Sequence, residues 1–220
     1  MTTSLITGAN RGIGLELVRQ LKARGERVLA VCRASSPELD ALGVTVESGI
    51  DVASDAAVPL LSRCAAGTNI DCVIANAGIL AADSLEQLQF EQLRRQFEVN
   101  ALGALRTVSA LLPQLKSGSK IALITSRMGS IADNGSGNYY GYRMSKAALN
   151  AAGMSLARDL KARGVAVAIL HPGYVRTDMT GKSGGVEPKD AAAQLIARID
   201  ALSLETSGTF WHANGELLPW

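Results

Sequence analysis

Tyr142 and Lys146 stand four residues apart in GYRMSKAALN. On a helix that separation puts both side chains on one face. An ammonium beside a phenol stabilises phenolate and draws its pKa below the ordinary value of about 10. Such a phenol can give a proton to a forming alkoxide, or take one from an alcohol. Tyr139 and Tyr140 lie close by, but four residues on from them stand Arg143 and Met144, which leaves Tyr142 as the acid–base candidate. Ser126 ends the apolar run 120–125, the end of a strand where ligands of doubly wound sheets bind, and its hydroxyl could hydrogen-bond a substrate oxygen. Ser130 is the alternative in the same turn, and either serine could instead cap it.

A second group of residues suits a phosphate. The run Thr7-Gly8-Ala9-Asn10-Arg11-Gly12-Ile13-Gly14 joins an apolar strand to an amphipathic helix. Gly8 permits a tight turn, Gly12 lets the backbone approach a pyrophosphate, and Gly14 allows close packing, while the helix start offers free N–H groups and a favourable dipole. A dinucleotide is the expected ligand. An acid at the end of the second strand would bind the adenosine ribose hydroxyls and select NAD(H), but the chain has Cys32-Arg33 there. Arg33, with Arg11 from the glycine loop, suits a 2′-phosphate, so NADP(H) is expected over NAD(H). Either arginine alone would read as ordinary surface charge.

These groups need a scaffold, and the chain reads as alternating strand and helix. Apolar runs at 4–7, 27–32, 44–47, 71–75, 120–125, 165–170 and 208–212 give seven strands. Helical spacing of apolar residues covers 12–24, 54–66, 86–115, 141–163 and 188–203. The alternation argues for a parallel α/β sheet with helices on both faces. Gly25, Gly118 and Gly164 mark three helix-to-strand connections, and 179–187 is the one loose stretch. With 220 residues, 47% hydrophobic, a single domain over 1–220 is expected.

The net charge of +2 gives no reason to expect nucleic acid. No run is long and apolar enough for a membrane, and the first residues lack the pattern of a secretory signal. Three cysteines without disulfide or metal spacing fit a reduced cytoplasmic setting, and no metal is expected.

TGANRGIG, Asn76-Ala77-Gly78, Tyr142-x-x-x-Lys146 and the segment from Pro172 to Thr177 occur in an order that resembles the short-chain dehydrogenase/reductase family. The compact length and the stretches GYRMSKAALN and NGELLPW look most like its C-factor-like and sniffer-like carbonyl reductases. The resemblance implies a Rossmann-type sheet of order 3-2-1-4-5-6-7. It implies that Asp51 and Val52 lie by the adenine, and that Asn76, Ala77 and Gly78 steady the sheet and line the ribose. It places Asn100 at a helical irregularity that relays protons to Lys146, and Ser126 as the catalytic serine. Lys146 would also hold the nicotinamide ribose, with Pro172, Gly173, Val175 and Thr177 at the nicotinamide.

In the same family pattern 178–187 is a short substrate lid, whereas the segment between Ser126 and Tyr142 is a few residues longer than that pattern, and 133–138 within it reads as a flexible insertion at the rim. His171 and His212 have no evident catalytic partner. The small residues Ala147, Ala148, Ala151, Ala152 and Gly153 suggest packing on a second copy, as homodimer or homotetramer. The implied activity is hydride exchange between NADP(H) and a small carbonyl or alcohol. The competing readings are a catalytically weak dinucleotide-binding sensor or signalling protein, and an epimerase or dehydratase, for which 220 residues leave little substrate region.

Overall fold

Adjacent residues of the central strands belong to opposite faces, and both faces are dry. In a computed structural model describing residues 1–220, Leu5 enters one hydrophobic cluster and Ile6 the other. Leu29 and Val31 likewise oppose Val28 and Ala30. Side chains alternate along a strand, so a sheet covered on both sides needs apolar residues at every position. That is why these segments read as unbroken apolar runs.

The strands are β1 (Thr3–Thr7), β2 (Arg27–Val31), β3 (Thr45–Glu47), β4 (Ile70–Ala75), β5 (Leu115–Ile124), β6 (Ala166–His171) and β7 (Phe210–His212). They form one seven-stranded sheet, all pairs parallel, in the order 3-2-1-4-5-6-7. Helices α1 (Gly12–Ala23) and α7 (Pro188–Asp200) cover one face through Leu17, Val18, Leu21, Leu195 and Ile199. Helices α3 (Ala57–Cys64), α5 (Gly103–Leu111) and α6 (Tyr140–Asp159) cover the other through Leu61, Val108, Leu111 and Leu149. No helix is long and apolar enough to cross a membrane.

Three local readings change. The helical pattern 86–115 divides into a 3-10 turn, α4 (Phe90–Phe97), a π-helical stretch Glu98–Leu102, α5 and a second 3-10 turn at Leu112–Gln114 that leads into β5. Apolar spacing follows the buried stripe and does not register one extra residue in a turn. Gly118 lies inside β5 rather than between helix and strand; at φ +89° it sits in an irregularity where the β4–β5 register shifts. A short helix, α2 (Pro37–Asp40), forms where no element was expected. Ser36 caps it by accepting from the Leu39 N–H, and the Ser36 hydroxyl donates to the Asn10 carbonyl, which ties α2 to the glycine loop.

Gly153 also differs from expectation. A Cβ there would lie 2.7 Å from Ile169 Cγ1, so this face of α6 is seated on the sheet and Gly153 offers nothing to a partner. Ala147, Ala148, Ala151 and Ala152 stay at least partly exposed.

Candidate active site

Two clefts, of about 530 and about 450 Å3, meet along the carboxyl ends of the strands. Tyr142, Thr125, Pro172, Thr177, Ile13 and Met179 border both. The larger cleft runs along Gly8, Asn10, Arg11, Gly12, Ile13, Gly14, Arg33, Asp51, Val52, Asn76, Ala77, Gly78, Lys146 and Pro172. The smaller contains Ser126, Gly173 and Val175. Asn100 borders neither; it is 1% exposed and lies behind the wall.

The glycine loop has the shape that a bound phosphate requires. Gly8 has φ +68°, and a Cβ on it would lie 2.8 Å from Ala77 Cα. Gly12 also has positive φ, and a Cβ on Gly14 would strike the Gly8 carbonyl at 2.1 Å. Helix α1 starts without a side-chain cap or an acid in its first turn, so its N–H groups face the cleft free. Asn76 braces the turn, its amide donating to the Thr7 and Gly8 carbonyls at 3.1 Å each. The Asp51 carboxylate accepts from the Ala53 N–H, and β2 leads into Cys32 and Arg33, with no acidic residue in the chain at that strand end. These residues fit a dinucleotide. Arg11 is less free than its position suggests: it lies 3.7 Å from Asp178 in an exposed ion pair, of a kind worth about 0–1 kcal/mol.

Helix α6 delivers Tyr142 and Lys146 into the cleft at 7% and 4% exposure. The Lys146 ammonium donates to the Ile124 carbonyl at 2.9 Å and lies 5.8 Å from the centre of the Tyr142 ring. The phenol is therefore not made acidic as the spacing suggested. Burial pushes Tyr142 up to about 12, opposed by the Ser126 hydroxyl, and burial pushes Lys146 down to about 8. Loss of water outweighs the neighbour here because each group is enclosed and the cation is aimed at a carbonyl.

Ser126 rather than Ser130 faces the cleft. Ser126 Oγ accepts from the Met128 N–H at the start of a 3-10 turn, while Ser130 is turned inward to accept from the Asp133 N–H. Asn100 does lie in the π-helical stretch. Its carboxamide accepts from the Ile79 N–H at 2.8 Å and donates to the Ile79 carbonyl and Ser145 Oγ. Gly78 separates it from Lys146: a Cβ there would be 3.3 Å from Asn100 Oδ1 and 3.6 Å from Lys146 Nζ.

Several positioning residues carry no motif. Thr125 donates to Asn150 at 2.7 Å, and Asn150 donates to the Gly129 carbonyl, locking α6 to the end of β5. A Cβ on Gly129 would lie 2.7 Å from the Lys146 carbonyl carbon, so the serine turn lies flush on α6. Asp83 caps the start of α6 from a distant loop, accepting from the Tyr140 and Gly141 N–H groups at 2.5 and 3.1 Å. This cap holds a start in which Asn138 and Tyr139 both have positive φ.

The rim is tied down, contrary to the flexible insertion expected at 133–138. Arg127 pairs with Asp133, Arg143 binds Ser136 Oγ and the Gly137 and Asn138 carbonyls, and the Ala132 N–H donates to the Trp220 carbonyl. The segment 178–187 is likewise built, with a 3-10 turn at Asp178–Thr180 and a bridge from Val175 to Val186. His212 does have partners: its ring meets His171 edge-on at 4.8 Å, and its Nδ1 accepts from the Asn214 N–H.

The sequence profile described as short chain dehydrogenase matches residues 2–187. A protein of Rhodococcus sp. (strain AD45) named 1-hydroxy-2-glutathionyl-2-methyl-3-butene dehydrogenase is 44% identical, covering 100% of both chains. The C-signal of Myxococcus xanthus is 42% identical over 69% of this chain and 93% of its own. Among solved structures, NADPH-bound carbonyl reductase from chicken fatty liver superposes with TM-score 0.91 at 27% identity, covering 100% of this chain and 99% of that one. The strand order, the paired clefts and these likenesses agree, and the chain belongs to the short-chain dehydrogenase/reductase family of oxidoreductases.

Proposed function

We propose that the protein is an NADP(H)-dependent carbonyl reductase, or the corresponding alcohol dehydrogenase, with Tyr142 as its acid and base. The observation that carries this reading is the place of Tyr142: enclosed, on the border between the two clefts, with Lys146 on one side and Ser126 on the other. The dinucleotide supplies or accepts the hydride when bound. Gly8, Asn10, Gly12, Ile13 and Gly14 would hold its pyrophosphate, Arg33 and Arg11 a 2′-phosphate, and Asp51, Val52, Asn76, Ala77 and Gly78 the adenosine end. Pro172, Gly173, Val175 and Thr177 would hold the nicotinamide.

In reduction, Ser126 orients the substrate oxygen and Tyr142 gives it a proton. Burial pushes this phenol up to about 12, so it holds its proton at neutral pH, as the donor of a reduction must. Oxidation needs the phenolate, which Lys146 favours only while it is charged, below about 8. Asn100 and Gly78 keep the wall behind Lys146 at fixed distance. The NADPH-bound chicken reductase supports the cofactor choice, as does Cys32-Arg33 in place of an acid at the end of β2. Self-association through the partly exposed Ala147, Ala148 and Ala151 on α6, beside the exposed Met144, is part of the same reading. Light scattering on a sizing column checks it.

The deciding experiment is Tyr142→Phe. NADPH binding stays, while carbonyl turnover falls by about 10²–10⁴, the range of general acid catalysis. Undiminished turnover removes the assignment. The C-signal relative favours a second reading, a dinucleotide-binding signalling protein with weak turnover. Wild-type protein that binds NADPH and reduces none of a panel of aldehydes, ketones, diketones and quinones would favour that one.

A further inference from the structure

The smaller cleft holds a charge that the chemistry at Tyr142 does not use. Its ionisable borders besides Tyr142 are Arg127, Asp133, Arg143, His171 and Tyr174, the last a neutral phenol paired with Ser183 Oγ. Arg127 is paired with Asp133 and lies 3.6 Å from Glu216. Asp83, at the start of the same helix, spends both carboxylate oxygens on backbone N–H groups. Burial pushes His171 down to about 3, so it carries no charge. Arg143 is the remaining cation, and it forms no ion pair. Its N–H groups reach only neutral acceptors: the Gly137 and Asn138 carbonyls at 3.2 and 3.1 Å, Ser136 Oγ at 2.9 Å and the Met128 carbonyl at 3.5 Å.

The location gives this charge a use. Arg143 follows Tyr142 directly on α6, is half-buried, and opens on the same cavity of about 450 Å3 as Ser126 and Tyr142. Much of the rest of that cavity is apolar, including Leu80, Met128, Val175 and Met179. A half-buried guanidinium without an anion has lost hydration and gained no countercharge, and its planar fork matches a carboxylate in two parallel hydrogen bonds. Two of its terminal N–H groups remain for that purpose, since each terminal nitrogen carries two and is engaged once. Resting on the function proposed above, we propose that the substrate pocket selects aldehydes and ketones, and the matching alcohols, that carry a carboxylate, with Arg143 as the specificity-determining residue that pairs with it. The same contacts to 136–138 make Arg143 a clamp on the rim, and the test separates clamp from charge.

The probes are 4-carboxybenzaldehyde and its methyl ester, reduced with NADPH. The acid has a kcat/KM about tenfold or more above the ester's, carried mainly by KM, as a hydrogen-bonded charge pair gives. Added salt narrows the gap. Arg143→Gln lowers kcat/KM for the acid about tenfold or more beyond any loss it causes for the ester, and Arg143→Lys, which keeps charge without the fork, retains part of the preference. Equal kcat/KM for acid and ester in the wild type overturns the proposal. So does a parallel loss of both in Arg143→Gln, which identifies a clamp only.

A second readout needs no turnover: calorimetric titration of 4-methylbenzoate into the NADPH-saturated protein. Binding by wild type and its loss in Arg143→Gln support the proposal even if neither aldehyde is reduced, in which case the reductase reading alone fails. Reduction of both aldehydes without preference keeps that reading and rejects this one. Absence of 4-methylbenzoate binding by wild type also overturns it.

Discussion

Replacing Lys146 with Met should change how stability depends on pH in a way calculable from burial. The ammonium is 4% exposed, and enclosure lowers it from 10.5 to about 8. Between those values the folded chain binds fewer protons at this site than the unfolded chain, so stability rises with pH across the window. Below about 8 the folded protein bears the cost of a charged, dehydrated amine, and above 10.5 that cost has gone. At about 1.4 kcal/mol per unit, the cost is about 3.3 kcal/mol at pH 7 and about 0.8 kcal/mol at pH 10. Lys146→Met has no such charge. Its other lost contacts are a pH-independent offset that cancels in the comparison, and any difference between ammonium and amine as donor to the Ile124 carbonyl is already part of the folded value of about 8. Urea unfolding of both proteins without dinucleotide, followed by circular dichroism at pH 7 and pH 10, should therefore show wild type gaining about 2.5 kcal/mol on the variant. A gap that is the same at both pH values, within about 0.5 kcal/mol, refutes the assignment of Lys146 as a dehydrated cation.

Other outcomes follow from single contacts. Arg33→Ala weakens NADPH about tenfold or more while NADH changes little, read by fluorescence titration; equal losses contradict a phosphate role. Asp83→Ala removes the cap of α6 and costs about 1 kcal/mol in urea unfolding, with a fall in kcat; unchanged values would make the cap idle. Gly129→Ala forces a Cβ against the Lys146 backbone, which has no rotamer with which to yield, and costs about 1–3 kcal/mol; an unchanged melting temperature contradicts the close contact.

Much of this molecule was legible because its determinants are local. The seven apolar runs became the seven strands, since burial on both faces leaves a continuous signature. Gly8, Gly12 and Gly14 announced their turn because the required backbone shape is written in residue type. Tyr142 and Lys146 were paired by helical spacing alone. The electrostatic sense of that pair was not legible: spacing sets proximity along a helix, whereas Tyr142 is pushed up and Lys146 down by enclosure that only tertiary packing creates. Asp83 and Asn150 escaped notice for a related reason. The cap on Tyr140 joins residues 57 apart, and the Asn150 contact joins α6 to a strand end, neither with a local pattern to mark it. The rim at 133–138 looked flexible because its residues are small and polar, yet its anchors, Arg127 and Arg143, lie outside it.

The π-helical stretch at Glu98–Leu102 also acts as a phase setter. An α-helix turns by about 100° per residue, so the one additional residue in this turn fixes which side of α5 faces the sheet. Removing a residue here would give a more regular helix, but would swing Ala104, Val108 and Leu111 from the interior toward solvent or drag Asn100 away from Ile79. Register in the interior and the bracing behind Lys146 are thus written into one length of chain, and shortening it cannot preserve both.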